Sequence, residues 1–247
     1  MESNKRAIII LFTLVATSLI LFLTEKKFLI SLPRGTSLSN YEHIKWINNI
    51  HLLVDDFEGI GSASDALEKN KFFFFGSVGA EVDTTKTDKA PIASKTALKT
   101  TWKGTEGYGG WGKGIGSNIE LNTTTDYVNF RFYCPKSNGD TEKLKVIIEE
   151  DDNENGILEN DKDDKWAHVV NISSKDEWQF ISIPLKSFID ENDGGDNIFN
   201  VTKKGGLHTI IFSFEQAASY TNQHTWYFDF ICFSNKKIDN NDLIASQ

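Results

Sequence analysis

YVNFRFYC, residues 127–134, alternates without a break. Val128, Phe130, Phe132 and Cys134 fall on one face of an extended chain, and Tyr127, Asn129, Arg131 and Tyr133 fall on the other. One face reads as core and the other as polar and aromatic. KLKVIIEE (143–150) repeats the pattern, with Leu144, Val146 and Ile148 inward and Lys145, Ile147 and Glu149 outward. On either side lie HLLVDDFE (51–58), KFFFFGSV (71–78), TALKTTWKG (96–104), NIELN (118–122), KWAHVVNI (165–172), WQFISIPL (178–185), LHTIIFSFE (207–215) and TWYFDFICF (225–233). Clusters of Gly, Asn and Asp separate these runs, and helical periodicity is nearly absent. The pattern predicts an all-β domain, a two-sheet sandwich or jelly roll over 51–237.

Composition agrees with that reading. Of 247 residues 39% are hydrophobic, with 18 Phe and 6 Trp, enough to fill a core without disulfide or metal staples. A formal charge of -9 excludes a nucleic-acid surface, which needs Lys and Arg to displace counterions from phosphate. Cys134 and Cys232 lack metal-ligand spacing. They read either as buried thiols or as a bridge formed in an oxidising compartment.

Ahead of the strands, Ala7–Leu23 (AIIILFTLVATSLILFL) carries no charge, with Lys5 and Arg6 before it and Lys26 and Lys27 after. At ~1.5 Å per residue this run makes a helix of about 26 Å, near the thickness of a bilayer core. The small-x-small pair Ala16 and Ser18 lies inside the run, where cleavage would strand Leu19–Leu23. The expected organisation is therefore a cytoplasmic end (1–6), a transmembrane signal-anchor (7–23), a stalk (24–50), the sandwich (51–237) and a polar tail (238–247). Localisation is membrane-anchored and extracytoplasmic, in the periplasm or at the cell surface, with secretion after cleavage as the alternative.

Two loops concentrate carboxylates. DDNENGILENDKDD (151–164) opens with Asp151-x-Asn153-x-Asn155-Gly156, the first half of a calcium-loop pattern of alternating oxygen ligands. Its twelfth position is Lys162 rather than a bidentate Glu, so further ligands would come from Asp161, Asp163 or Asp164. DENDGGDNIFN (190–200) has a similar composition, and the two loops read as neighbours that share a cation. GYGGWGKGIG (107–116) lacks the ending and following helix of a phosphate loop, and reads as a flexible loop offering Tyr108 and Trp111 as flat rings for a sugar. The five His form no zinc or Ser-His-Asp pattern.

In order along the chain, LVDDFEG (53–59), EGYGGWG (106–112), WQFISIPLKSF (178–188) and TIIFSFE…WYFDFICF (209–233) resemble the family 11 carbohydrate-binding modules of the galactose-binding-like jelly rolls. The resemblance implies a β-sandwich that holds β-glucan in an aromatic cleft and carries structural calcium. It implies calcium at Asp56, Glu58 and Asp229, beside the loop candidates Asp151, Asn153, Asn155 and Asp163. It also puts Phe214 where the family has a cleft-facing tyrosine. The expected carbohydrate-binding residues are Tyr108, Trp111, Arg131, Tyr133, His168 and Glu215. The expected function is non-catalytic binding of a polysaccharide, with a glycoside hydrolase-associated role as the minor alternative. With no glycosidase domain in the sequence, targeting of a linked catalytic domain is not expected. DDFEG also resembles the complex I intermediate-associated protein 30 type domains, which would make the chain an assembly or scaffold domain with a protein partner.

Overall fold

The computed structural model describes residues 47–61, 65–85, 94–103, 108–117, 119–138, 141–173, 176–202, 206–215 and 223–239. The expected anchor at 7–23 lies outside them. Among the described residues no helix is long and apolar enough to cross a membrane.

Among the described residues twelve strands follow in order: β1 (Ile50–Asp55), β2 (Phe72–Phe75), β3 (Val78–Asp83), β4 (Ala97–Lys103), β5 (Tyr108–Ser117), β6 (Tyr127–Tyr133), β7 (Thr141–Glu150), β8 (Lys165–Ser173), β9 (Trp178–Pro184), β10 (Ile189–Asp190), β11 (Leu207–Glu215) and β12 (Gln223–Ser234). The helix α1 (Ala66–Lys69) is a single turn. One sheet runs β3-β4-β12-β6-β9, with β1 also paired to β12, and the other runs β10-β8-β7-β11-β5-β2. Every pairing is antiparallel.

Alternation of aromatic residues builds the core between the sheets. Trp111 (β5) stacks on Phe212 (β11) at 4.6 Å, and both meet Phe228 of the opposite sheet edge-on or tilted at 5.1 Å. Phe130 and Phe132 close on the same rings at 5.1 and 5.0 Å. Phe214, with Trp226 stacked on it at 4.1 Å, extends this layer. A buried ion pair, Lys113 with Asp55, also crosses between β5 and β1, and Lys113 Nζ sits 4.6 Å from the Phe72 ring centroid.

The stretch read as a flexible loop at 107–116 is the ten-residue strand β5. Its inward positions hold Trp111 and Lys113, and its outward positions hold Gly110, Gly112 and Gly114. A side chain on Gly112 or Gly110 would collide with the rings of Phe73 and Phe75 from β2, so glycine there lets those rings lie flat across the strand. NIELN, expected as a strand, forms none at 119–122, and VGAEVD supplies β3 instead. Ile238, first residue of the expected polar tail, is fully buried, its N–H donating to Ser182 Oγ at 3.3 Å.

Cys134 and Cys232 are free and buried. Cys232 is in register with Asn129, five residues along β6 from Cys134, and at ~3.3 Å per residue the two lie roughly 16 Å apart, beyond the ~7 Å reach of a disulfide. Burial pushes the Cys232 thiol far above its ordinary pKa.

Candidate functional site

The hairpin joining β7 to β8 carries the first acidic loop, and its neck is closed by Glu150 N–H donating to the Asp164 carbonyl at 3.0 Å. Glu150, Asp152 and Asp164 meet at this neck, one carboxylate oxygen of each within 4.8 Å of the others. Two of them also hold the second acidic loop: Asp164 Oδ2 accepts Ile198 N–H at 3.3 Å, and Glu150 Oε1 accepts Asn200 N–H at 3.0 Å. Asn192 Nδ2 donates to the carbonyls of Asp163 and Asn160, completing the join. The two loops are neighbours, as their composition predicts.

Among the described residues no donor lies within hydrogen-bonding geometry of three buried oxygens at the centre: Glu150 Oε2, Asp152 Oδ2 and Asp164 Oδ1. Gly195, with φ +67°, passes so close over the last two that any Cβ would collide with them. Burial, then the charge of Asp152, pushes the Glu150 carboxyl up to about 8. Burial and the charge of Asp164 push Asp152 up to about 6, and Asp164 is raised by burial and by Asp190. Oxygens that each sit ~2.4 Å from a common ion lie at most about 4.8 Å apart, so the set fits Ca2+, with backbone or water oxygens filling the remaining positions.

The loop residues expected as ligands have other work. Asp151 accepts the N–H groups of Asn155 (3.1 Å) and Gly156 (2.6 Å), which folds the tight turn. Asp163 accepts those of Asp152 (3.1 Å) and Glu159 (2.6 Å). Asn153 and Asn155 donate to Glu159. Asp164, one of the expected further ligands, instead joins Glu150 and Asp152, one step along from Asp151, in the group whose inner oxygens have no donor among the described residues.

Asp56, Glu58 and Asp229 gather on the other sheet. Asp56 and Asp229 are buried, and burial raises Asp229 well above the carboxylate range even though Arg131 opposes it. Glu58 Oε1 accepts Ser94 Oγ and the N–H groups of Lys95 and Thr96, clamping the segment that leads into β4.

The six expected sugar contacts do not share a surface. Trp111 has no solvent exposure and lies in the aromatic core, so it offers no platform. Arg131, 2% exposed, faces Asp229 across the sheet and stacks at 5.5 Å on Trp178; burial lowers it to about 10. Tyr133 is buried between Trp178 and Tyr227. The polar face of YVNFRFYC is thus covered, not wet. His168 pairs with Val146 on the inward side of β8 and sits 2.9 Å from the Ser187 carbonyl. Phe214 points into the core, so it does not stand at a cleft. Tyr108, 61% exposed, lies on the outward face of the second sheet, in register with Glu215.

That outward face is unusually apolar. Ile211, Ile147 and Ala167 form a row across β11, β7 and β8, with Phe75 packed against them. Phe73 and Tyr108 border the row on one side, and Val169 and Ile189 on the other, all four substantially exposed. The ion pair Lys145–Glu191 at 2.8 Å adds a polar fringe. Phe73, Phe75 and Ile189 were not foreseen as surface aromatic or apolar contacts; the alternate glycines of β5 are the signal that the β2 rings turn outward.

No family model matches the sequence, and no curated protein matches it. Among solved structures, a family 11 carbohydrate-binding module from Clostridium thermocellum, in complex with a β-1,3-1,4-mixed-linked tetrasaccharide, superposes with a TM-score of 0.50 at 18% identity, covering 74% of this chain and 94% of that one. The chain has the fold of the family 11 carbohydrate-binding modules. The module of the cellulosomal cellulase Lic26A-Cel5E of C. thermocellum gives the same TM-score of 0.50 at 16% identity, covering 76% and 96%. An arabinose-bound α-L-arabinofuranosidase also reaches 0.50 at 12% identity, but only 27% of that chain is covered. The β-sandwich jelly roll expected from four short motifs is therefore the fold observed.

Proposed function

We propose that this protein is a non-catalytic polysaccharide-binding jelly roll, stabilised by calcium and held at a membrane by residues 7–23. The observation that carries the reading is the outward face of the second sheet. Exposed Tyr108 and Phe73 flank a buried apolar row, Ile147, Ala167 and Ile211, on the outward side of this sheet, and aromatic rings pair with the C–H faces of pyranoses. The fold supports it, because the likeness spans nearly all of a module whose bound ligand is a mixed-linkage β-glucan tetrasaccharide, and only a quarter or so of a hydrolase. Calcium would be held by Glu150, Asp152 and Asp164, whose unsatisfied oxygens it would neutralise while tying the two acidic loops together. The uncharged apolar run at 7–23 supports the anchor and an extracytoplasmic domain.

Calorimetric titration of the full chain with mixed-linkage β-glucan tests the site. Tyr108→Ala should weaken binding by about 1–3 kcal/mol, the range for losing an aromatic hot spot. Unchanged affinity in Tyr108→Ala and Phe73→Ala would remove this face as the binding surface.

A further inference from the structure

At the loop end of the sandwich a cavity of about 870 Å³ opens beside the acidic neck, away from the apolar sheet face. Its volume lies in the range of small-molecule sites. One wall is the strip 199–202 and the other is the turn 120–126, and the two are stapled together: Thr123 Oγ donates to the Phe199 carbonyl at 2.8 Å and Leu121 N–H to the Val201 carbonyl at 3.2 Å. The lining mixes a ring with short polar groups. Phe199 has one face stacked on Trp166 at 4.9 Å and lines the cavity. Asp126, almost wholly buried, accepts Asn122 N–H at 2.8 Å and pairs with His51 at 3.3 Å. Asn122 Oδ1 is taken by Thr124, which leaves its amide N–H groups as donors, and the exposed Asn200 brings a second side-chain amide.

Among the described residues the lining includes the carboxylates of Asp126 and Glu154 and no lysine or arginine. A half-buried ring framed by amides, hydroxyls and carboxylates suits a neutral polyhydroxylated ligand, whose C–H face packs on the ring while vicinal hydroxyls donate to carboxylate and accept from amide. The wall that carries Phe199 and Asn200 hangs from the acidic neck by two backbone hydrogen bonds, Ile198 N–H to Asp164 and Asn200 N–H to Glu150. Neutralising that neck fixes the wall.

We propose that this cavity is a second saccharide site, taking the terminal one or two sugar residues of a neutral glycan, and that its affinity depends on the cation at Glu150, Asp152 and Asp164. It extends the polysaccharide-binding reading and rests on it for the ligand class, but it uses none of the sheet-face residues.

Amide chemical-shift mapping on the full chain, titrated into the millimolar range with cellobiose and separately with the mixed-linkage tetrasaccharide, tests it. With calcium present, cellobiose should shift Asn122, Thr123, Asn200 and Thr202 in a saturable way. Asn200→Ala, which keeps the backbone hydrogen bond to Glu150, should weaken that response about tenfold, the scale of a lost hydrogen bond to a bound ligand. Chelating calcium should weaken it by a similar factor. Shifts at Tyr108, Gly110 and Gly112 report the sheet face independently, and Tyr108→Ala should abolish them alone. Silence at the cavity residues with both sugars overturns the second site, whatever the sheet face does. Cavity shifts unchanged by chelator overturn the coupling to the cation, and silence at the sheet face with a responding cavity overturns the sheet-face reading alone.

Discussion

Raising the pH in the absence of divalent cations should destabilise this protein, and calcium should remove the effect. Glu150 is held up to about 8 by burial and the charge of Asp152, and Asp152 up to about 6, so the folded chain keeps protons that the unfolded chain releases near 4. Because the folded state binds more protons across this window, unfolding free energy falls as pH rises. The contribution is fully present below about 4.5 and lost as pH passes about 8. A carboxyl moved from its ordinary 4.5 to about 8 corresponds to on the order of 5 kcal/mol, a large share of the 5–15 kcal/mol that holds a typical domain together. A cation at several thousand times its dissociation constant returns about 5 kcal/mol, enough to offset that loss and worth roughly 10–20 °C in Tm for a chain of this size. Scanning calorimetry from pH 5 to 8, with chelator and with excess calcium, reads both effects. The chelated protein should lose Tm steadily with pH while the calcium-loaded protein stays level, and Glu150→Gln should flatten the chelated curve. A chelated Tm indifferent to pH, or a Tm at pH 8 that calcium does not move, would refute the reasoning.

Four further outcomes follow from the packing. Trp111→Ala should cost about 3–5 kcal/mol of stability in chemical denaturation, since it empties the centre of the aromatic core. Lys113→Ala should cost a similar ~3–5 kcal/mol by leaving Asp55 as an uncompensated buried charge. Tyr108→Ala, by contrast, should change stability by less than about 0.5 kcal/mol, as its ring is mostly in solvent. Both cysteines should resist alkylation in the native protein and react together on unfolding, with non-reducing mass analysis showing two free thiols.

Much of the fold is written in period two. The alternation in YVNFRFYC and KLKVIIEE places Phe130, Phe132, Val146 and Ile148 in the core, where they are found. The same alternation misled on function, because polarity alone does not say whether a face meets water: Trp178 and Tyr227 from neighbouring strands cover Arg131 and Tyr133. β5 was hidden by its glycines, which normally mark loops; only their spacing at 110, 112 and 114 distinguishes a strand overlaid by a neighbour's rings from a turn. The acidic neck was legible as a region and in Asp164, but not in Glu150 and Asp152. Asp151 and Asp163 are consumed by N–H groups of their own loop, a geometry that composition does not encode. The cavity at 120–126 and 199–202 joins segments far apart in sequence, 76 residues between Thr123 and Phe199, paired by the Thr123 hydroxyl and the Leu121 N–H, and no local pattern announces it.

The central claim is that the outward face of the second sheet holds a neutral polysaccharide. A glycan array probed with the full chain in calcium tests it most directly. The account predicts retention on neutral β-glucans, lost in Tyr108→Ala and kept in Arg131→Lys. Retention of no glycan at all, or retention that survives Tyr108→Ala and Phe73→Ala unchanged, would contradict it.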